Sequence, residues 1–504
     1  MSDTAVAESG TRLQNFIDRA GLRGFPWKTA SILYTISWGW LFIVRDSYWS
    51  DDWTLFVAPS VENIDFNAWG FAPWFFLNED LFNIFGPSWM RLAIFLFFYA
   101  SGLFVYAISG SFSMLTKFER SGITLLFLLL PFNSARVSLM TFHYSQAYFY
   151  FFFGWYLLEI SKKTSVFLLA CSLFFLSFQM HSLILFFVLP LLYFLWRFRS
   201  NRELAFKFRL TLLVLLPLLY TFGRTVLWSS SNSYHQISAT GIFSLGKLGL
   251  TTAIMVSLPL LIFKRRAREL QPLLPIGFFV SLLGISAYVL AGLVGVLRNL
   301  PAYLLFNTVG RSDWYSRHLT LQPLGVSLIF VGFLGVPRLR REKLRDYFFG
   351  VLLGVFVILN VGFGLEYVVD YAKQQAVVEK LESTGEVAGI DEYLFADQTT
   401  LLNARGRLYR PRDWWGLVWS AYGLSAAERA EILSSCDGGE NGRFVEIDGP
   451  ETHWQALKNW VGDGDMGFEV TVDDTPGACK SEMVTSEKVS GAIPILFYFT
   501  GAKN

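Results

Sequence analysis

The stretch Tyr347-Phe-Phe-Gly-Val-Leu-Leu-Gly-Val-Phe-Val-Ile-Leu-Asn-Val-Gly-Phe-Gly-Leu365 contains no charged residue, and as a 19-residue helix it crosses most of a hydrocarbon core about 30 Å thick. Upstream of it similar runs recur, near residues 29–44, 90–110, 121–139, 143–160, 164–180, 181–197, 209–228, 246–263, 273–296 and 318–336. They predict about eleven transmembrane helices. Downstream the pattern changes: residues 1–365 carry a net charge of +13 and residues 366–504 one of −11, a contrast hidden in the overall +2. The whole chain is 53% hydrophobic and 16% charged, with 50 Phe and 17 Trp, which is far from the mix of a water-soluble globule. The fold class expected is therefore a polytopic α-helical membrane protein with a soluble α/β domain at its C-terminus.

Lys and Arg set the orientation. The N-terminal segment and the loops at 117–120, 162–163, 197–209, 264–268 and 338–345 hold 22 basic residues, against eight at the opposite ends of the spans up to residue 365. Residues 1–28 are then a cytoplasmic segment ahead of a signal anchor, residues 29–365 a membrane module, and residues 366–504 an extracytoplasmic, periplasmic domain. The plasma membrane, or a bacterial inner membrane, is the expected location. The basic loops match anionic lipid headgroups, so nucleic acid is not required as a partner.

The first external loop, 45–89, is long, aromatic and acidic, and its stretches 51–57 and 72–85 predict amphipathic helices at the membrane surface. In the acidic domain, a helix is expected over Tyr367–Glu382, a short capped helix from Ser425, and strands over 444–447 and 493–499. Tyr409–Trp415 offers a glycan-stacking surface, although ordinary core and ion-pair use is the commoner fate of such a run. Cys171 lies in an apolar run, while Cys436 and Cys479 fall in the external domain, where they can pair as a disulfide or stay separate.

Ionisable groups gather at the external ends of the spans, and these ends are where chemistry is expected. Asp51 and Asp52 follow the first span, with Trp53, Glu79, Asp80 and His143 at neighbouring external positions; Arg136, Arg224, Arg311, Arg317 and His318 stand at other span ends. Arginines neutralise a lipid phosphate at headgroup depth. A carboxylate acting as base on an acceptor hydroxyl completes a transfer in which the phosphate is the leaving group. On a helix, Asp51 and Asp52 point about 100° apart, which predicts different tasks for the two. The competing assignment for this pair is a helix N-terminus, where acids favour the dipole. No certain cofactor is implied. A divalent metal shared by Asp51, Asp52 and Glu79 or Asp80 stays open.

These residues carry a resemblance. Tyr48-Trp-Ser-Asp-Asp-Trp53 is similar to the acidic motif in the first external loop of GT-C membrane glycosyltransferases. Asn83-Ile-Phe-Gly-Pro-Ser-Trp-Met-Arg-Leu92 resembles the entry to the second span in their protein-mannosyltransferase-like branch, and Tyr315-Ser-Arg-His-Leu319 with Pro323 resembles a late-span pattern found there. The resemblance implies an inverting transferase that moves a sugar from a polyprenyl-phosphate donor to a glycan, lipid or protein acceptor of the cell envelope. On it, Asp51 is the expected base with Asp52 assisting, and Arg317, Arg311, Arg136, Arg224 and His318 are the expected donor-phosphate residues. Two rivals remain: an O-antigen-type polymerase, and a lipid-linked sugar flippase or transporter. The sequence shows neither the midplane charges nor the repeated halves usual in transporters.

Overall fold

The computed structural model describes residues 21–49, 52–53, 76–131, 134–161, 163–180, 182–198, 204–227, 273–290, 321–334, 342–383, 392–404, 407, 409, 411–423, 431–433 and 443–473. The expected span at 246–263, the capped helix from Ser425 and the strand at 493–499 lie outside the described residues.

The described chain is predominantly helical, as suits a helical membrane protein. In order it forms α1 (Trp27–Trp38), α2 (Phe76–Ser109), α3 (Lys117–Leu129), α4 (Phe142–Ile160), α5 (Thr164–Ser177), α6 (Ser182–Phe186), α7 (Val188–Phe198), α8 (Leu204–Val226), α9 (Leu273–Leu290), α10 (Gln322–Leu334) and α11 (Glu342–Ser383). Among the described residues, three helices are long and apolar enough to cross a membrane: 80–109, 206–226 and 342–383. Shorter apolar helices fill out the bundle at 164–177, 182–197, 273–284 and 322–333.

Local chemistry explains the element ends. Thr116 and Glu119 form a reciprocal capping box that starts α3. The run expected to span 121–139 stops as a helix at Leu129, because Leu130 precedes Pro131 and takes an extended ψ of 127°. Two 3-10 turns, Ser134–Val137 and Leu139–Thr141, then lead into α4. α2 is broken at Gly86, whose φ of 73° and ψ of −178° separate the loop portion 76–85 from the apolar portion beyond Pro87.

The bundle is packed by aromatic faces and small residues. Phe98 of α2, Phe127 of α3 and Tyr148 of α4 stack on one another with centroids 5.3–5.8 Å apart. α9 and α10 meet along glycines: a Cβ on Gly277 would lie 2.7 Å from the Gly325 carbonyl oxygen, and one on Gly325 would lie 2.5 Å from the Ser281 nitrogen. Such contact between backbones is how helices associate where lipid removes the hydrophobic driving force.

α11 joins the last apolar run to the helix expected over 367–382. Its 42 residues extend about 63 Å, twice the thickness of a hydrocarbon core, so its second half stands beyond the lipid. There it carries a four-stranded sheet of β1 (Glu392–Asp397), β2 (Glu431–Leu433), β3 (Arg443–Asp448) and β4 (Glu469–Asp473), with two further helices, α12 (Pro411–Tyr422) and α13 (His453–Asp463). The strand order is β2-β1-β3-β4; β1 runs parallel to β2 and β3, and β4 is antiparallel to β3. Val445 and Ile447 alternate inward from β3 and meet Trp414, Leu417 and Val418 of α12 and Val377 and Leu381 of α11. Trp414 stacks on Phe395 at 4.4 Å, so this tryptophan of the expected glycan platform is core instead.

Trp53 of the first loop enters this same core. It lies so close to α12 that a Cβ on Gly416 would come within 2.1 Å of its ring. Below it, Trp40 stacks on Tyr367 at 5.3 Å and Trp49 meets Tyr367 edge-on at 5.1 Å. Trp49 and Trp53 of the first loop and the C-terminal sheet are therefore packed on one side of the bundle.

Candidate active site

Asp52 is completely buried, and each of its oxygens accepts two hydrogen bonds. Oδ1 takes the Ser138 hydroxyl at 2.6 Å and the Met140 N–H at 2.9 Å. Oδ2 takes the Leu139 N–H at 2.9 Å and the Trp49 N–H at 3.1 Å. A carboxylate has about four acceptor positions, and all are occupied. Asp52 thus caps the 139–141 turn from a distant part of the chain, supplying the acceptors that a helix start lacks. Burial pushes its carboxyl up to about 6, against the opposing pull of Ser138, the Met140 and Leu139 N–H groups and Arg91. The assisting or metal-binding task expected of Asp52 does not fit this arrangement, because no lone pair is left for a substrate or an ion.

Arg91, the arginine of the 83–92 motif, secures the same junction. Its guanidinium donates to the carbonyl oxygens of Arg45 at 3.2 Å and Ser47 at 2.5 Å, to the Ser47 hydroxyl at 3.0 Å, and to the Val137 carbonyl. Ser88 donates to Asp46 at 3.0 Å, and Asp46 pairs with Arg45 at 3.1 Å in solvent. Three segments, 45–53, 88–91 and 137–140, are thereby held in one frame.

Arg136 is 1% exposed and lies between the rings of Trp38 and Phe98, 3.6 and 4.0 Å from their centroids. The Tyr34 hydroxyl, which donates to the Phe95 carbonyl at 2.9 Å, lies beside it. A lipid phosphate has no route to a cation enclosed this way, so the expectation for Arg136 gives way to a packing role. Arg224 stands in the last turn of α8, beside Tyr220. His143 is buried at the start of α4, where Gln179 donates to its backbone carbonyl at 3.2 Å. Asp80 is exposed on the loop portion of α2. Asp51, Arg311, Arg317, His318, Cys436, Cys479 and the Glu79 side chain lie outside the described residues. Among the described residues no cluster of three or more His, Cys, Asp or Glu side chains suits a metal ion.

The chain matches no family model, no characterised protein and no solved structure. What the site can do is read from its own geometry.

A second buried cluster, not anticipated from the sequence, ties α11 to the sheet. Lys373 donates to Asp397 Oδ2 at 2.5 Å and to Asn403 Oδ1 at 2.7 Å. Asp370 accepts from the Ala404 N–H at 2.7 Å, from Gln374 at 3.3 Å and from the Tyr409 hydroxyl, with Arg407 3.8 Å away. Arg407 also pairs with Asp413 at 3.0 Å. Burial lowers the Lys373 ammonium, and Asp397 opposes that shift. Burial likewise works against Arg407, but Asp413 and Asp370 more than offset it and hold the guanidinium charged. The available signal was the spacing of Asp370, Lys373 and Gln374, which puts three polar residues on one face of a helix otherwise buried there.

Proposed function

We propose that this chain is an eleven-span inverting glycosyltransferase of the GT-C type, with residues 366–504 as its extracytoplasmic domain. It takes a sugar from a polyprenyl-phosphate donor and passes it to a cell-envelope acceptor at the membrane face that bears the first loop. The observation supporting this reading is the frame around Asp52: a costly buried carboxylate and a buried arginine fix the acidic motif to the start of α4. In this scheme Asp51 is the base that takes the acceptor's proton, and Asp52 is a positioning residue. Arg317 and Arg311, with Arg224 at the end of α8, compensate the departing lipid phosphate. The base abstracts a proton from the acceptor hydroxyl as its oxygen bonds to the anomeric carbon, and the carbon–phosphate oxygen bond breaks on the opposite face. The test is transfer of radiolabelled sugar from polyprenyl phosphate by purified Asp51→Asn protein. Loss of transfer with an unchanged melting temperature is expected, and full activity in that variant would remove the base from the scheme and the scheme with it.

A further inference from the structure

α13 has an apolar arc wider than the surface that packs against the protein. At about 100° per residue, Trp460, His453, Leu457, Val461 and Trp454 follow one another around one side of the helix. Ala456 is buried and His453 and Leu457 are half-buried, but Trp454 is 62% and Val461 83% exposed. Lys458 comes next around the helix, and Gln455, Asn459 and Asp463 occupy the far side. Leu401, on the turn beside the helix start, is exposed too, and His453 bonds to the Leu402 backbone.

The height of α13 is set by α11. His453 sits within the influence of Glu366 and Asp370, and Glu366 directly follows Leu365, the end of the apolar run. On α11, Leu344, Phe348, Val351, Val355 and Ile358 form an exposed apolar row with spacings of three and four residues. The same spacing continues the row through Gly362 to Glu366. An exposed apolar row on a membrane-crossing helix faces lipid. α13 therefore begins where the lipid-facing row of α11 leaves the hydrocarbon.

We infer that α13 lies on the bilayer as an interfacial anchor, with Trp454 and Val461 in the headgroup region and Lys458 reaching the lipid phosphates. Tryptophan at this depth and a lysine on the polar flank are the pattern of helices buried about 5–10 Å into the interface. The partner is the membrane that holds the rest of the chain, and the assignment is independent of the proposed transfer reaction.

The test uses full-length protein in nanodiscs of phosphatidylethanolamine and phosphatidylglycerol. Cysteines are introduced as Trp454→Cys, Val461→Cys or, as a control on the polar side, Gln455→Cys, in a background with Cys171→Ala, Cys436→Ser and Cys479→Ser. Each is labelled with an environment-sensitive fluorophore. Headgroup-nitroxide lipid is expected to remove about half or more of the emission at 454 and 461, with aqueous iodide acting mainly at 455. Equal iodide quenching at all three positions would overturn the inference, as would protection of 454 and 461 from both quenchers, which marks a protein partner or a second copy. The unaltered chain supplies a second measurement. Headgroup-diazirine lipid should crosslink to the peptide carrying residues 453–463, and absence of adducts there, with adducts on the spans, would also overturn it.

Discussion

Asp52 and Asp370 are both buried carboxylates at the place where the bundle meets the C-terminal domain, yet they are held by different means. Around Asp52 the donors are three backbone N–H groups and one hydroxyl, and Arg91 bonds to backbone carbonyls and Ser47 instead of to the carboxylate. Around Asp370 one backbone N–H, that of Ala404, is joined by side-chain partners, and two cations, Lys373 and Arg407, are shared among three carboxylates. Backbone donors cannot be titrated or substituted away, so the first arrangement fixes the path of the chain. The second ties α11 to the sheet through charges that depend on one another, and it is the more vulnerable.

The largest effect is therefore expected at the second cluster. Lys373→Met leaves Asp397 and Asn403 buried without their cation, at a cost of about 3–5 kcal/mol. The measurements are a drop in melting temperature and faster proteolysis of the 392–473 region; unchanged values for both would mean that the ion pair does not hold the domain. Asp52→Asn is the corresponding change in the first cluster. One carboxylate oxygen becomes an NH₂ facing an N–H, and each donor left unsatisfied costs about 1–3 kcal/mol.

That variant also exposes a pH dependence. Asp52 has a folded value of about 6, above the 3.8 of an ordinary aspartate. Its contribution is thus fully present below that ordinary value and is lost as the pH rises through the folded one, by about 3 kcal/mol in all. The uncharged asparagine has no such loss, so the gap in melting temperature between wild type and Asp52→Asn should narrow from pH 4 to pH 7. A gap that widens would reverse the sign and show the carboxylate to be favoured in its charged form. Tyr409→Phe is the mildest test. It removes one hydroxyl from Asp370 while Ala404, Gln374 and Arg407 remain, and about 1.5 kcal/mol of destabilisation is expected in the same melting experiment.

Much of the helical frame was legible because apolar length is a local property. The run 347–365 and the helix at 367–382 were both visible, but their fusion into one helix was not, since a change in composition at Glu366 says nothing about whether the backbone turns. The run 121–139 was misread as one span because hydropathy counts Val137 and Leu139 as lipid-facing, although Pro131 ends the helix and the segment beyond it winds around Arg136 and Asp52. The separate tasks expected of Asp51 and Asp52 rest on Asp51, which lies outside the described residues. Three of the four donors that occupy Asp52 come from residues 138–140, more than 80 positions away, and nothing near Asp52 in the sequence identifies them. Arg91 was visible as part of a motif, but its work of holding carbonyls at residues 45, 47 and 137 depends on the same distant meeting. The Lys373 network was hidden for a related reason: a polar face on a helix looks solvated until a second domain covers it.

The break at Gly86 has a bearing on how this protein can vary. Its backbone geometry belongs to a region that residues with a Cβ scarcely enter. A continuous helix carries every insertion forward as a rotation of about 100°, which would swing Arg91 away from Ser47 and Val137. The glycine cancels that transmission. A residue added before it would not turn the helix that follows, whereas one added among the four positions from Pro87 to Met90 would rotate Arg91 away from its partners.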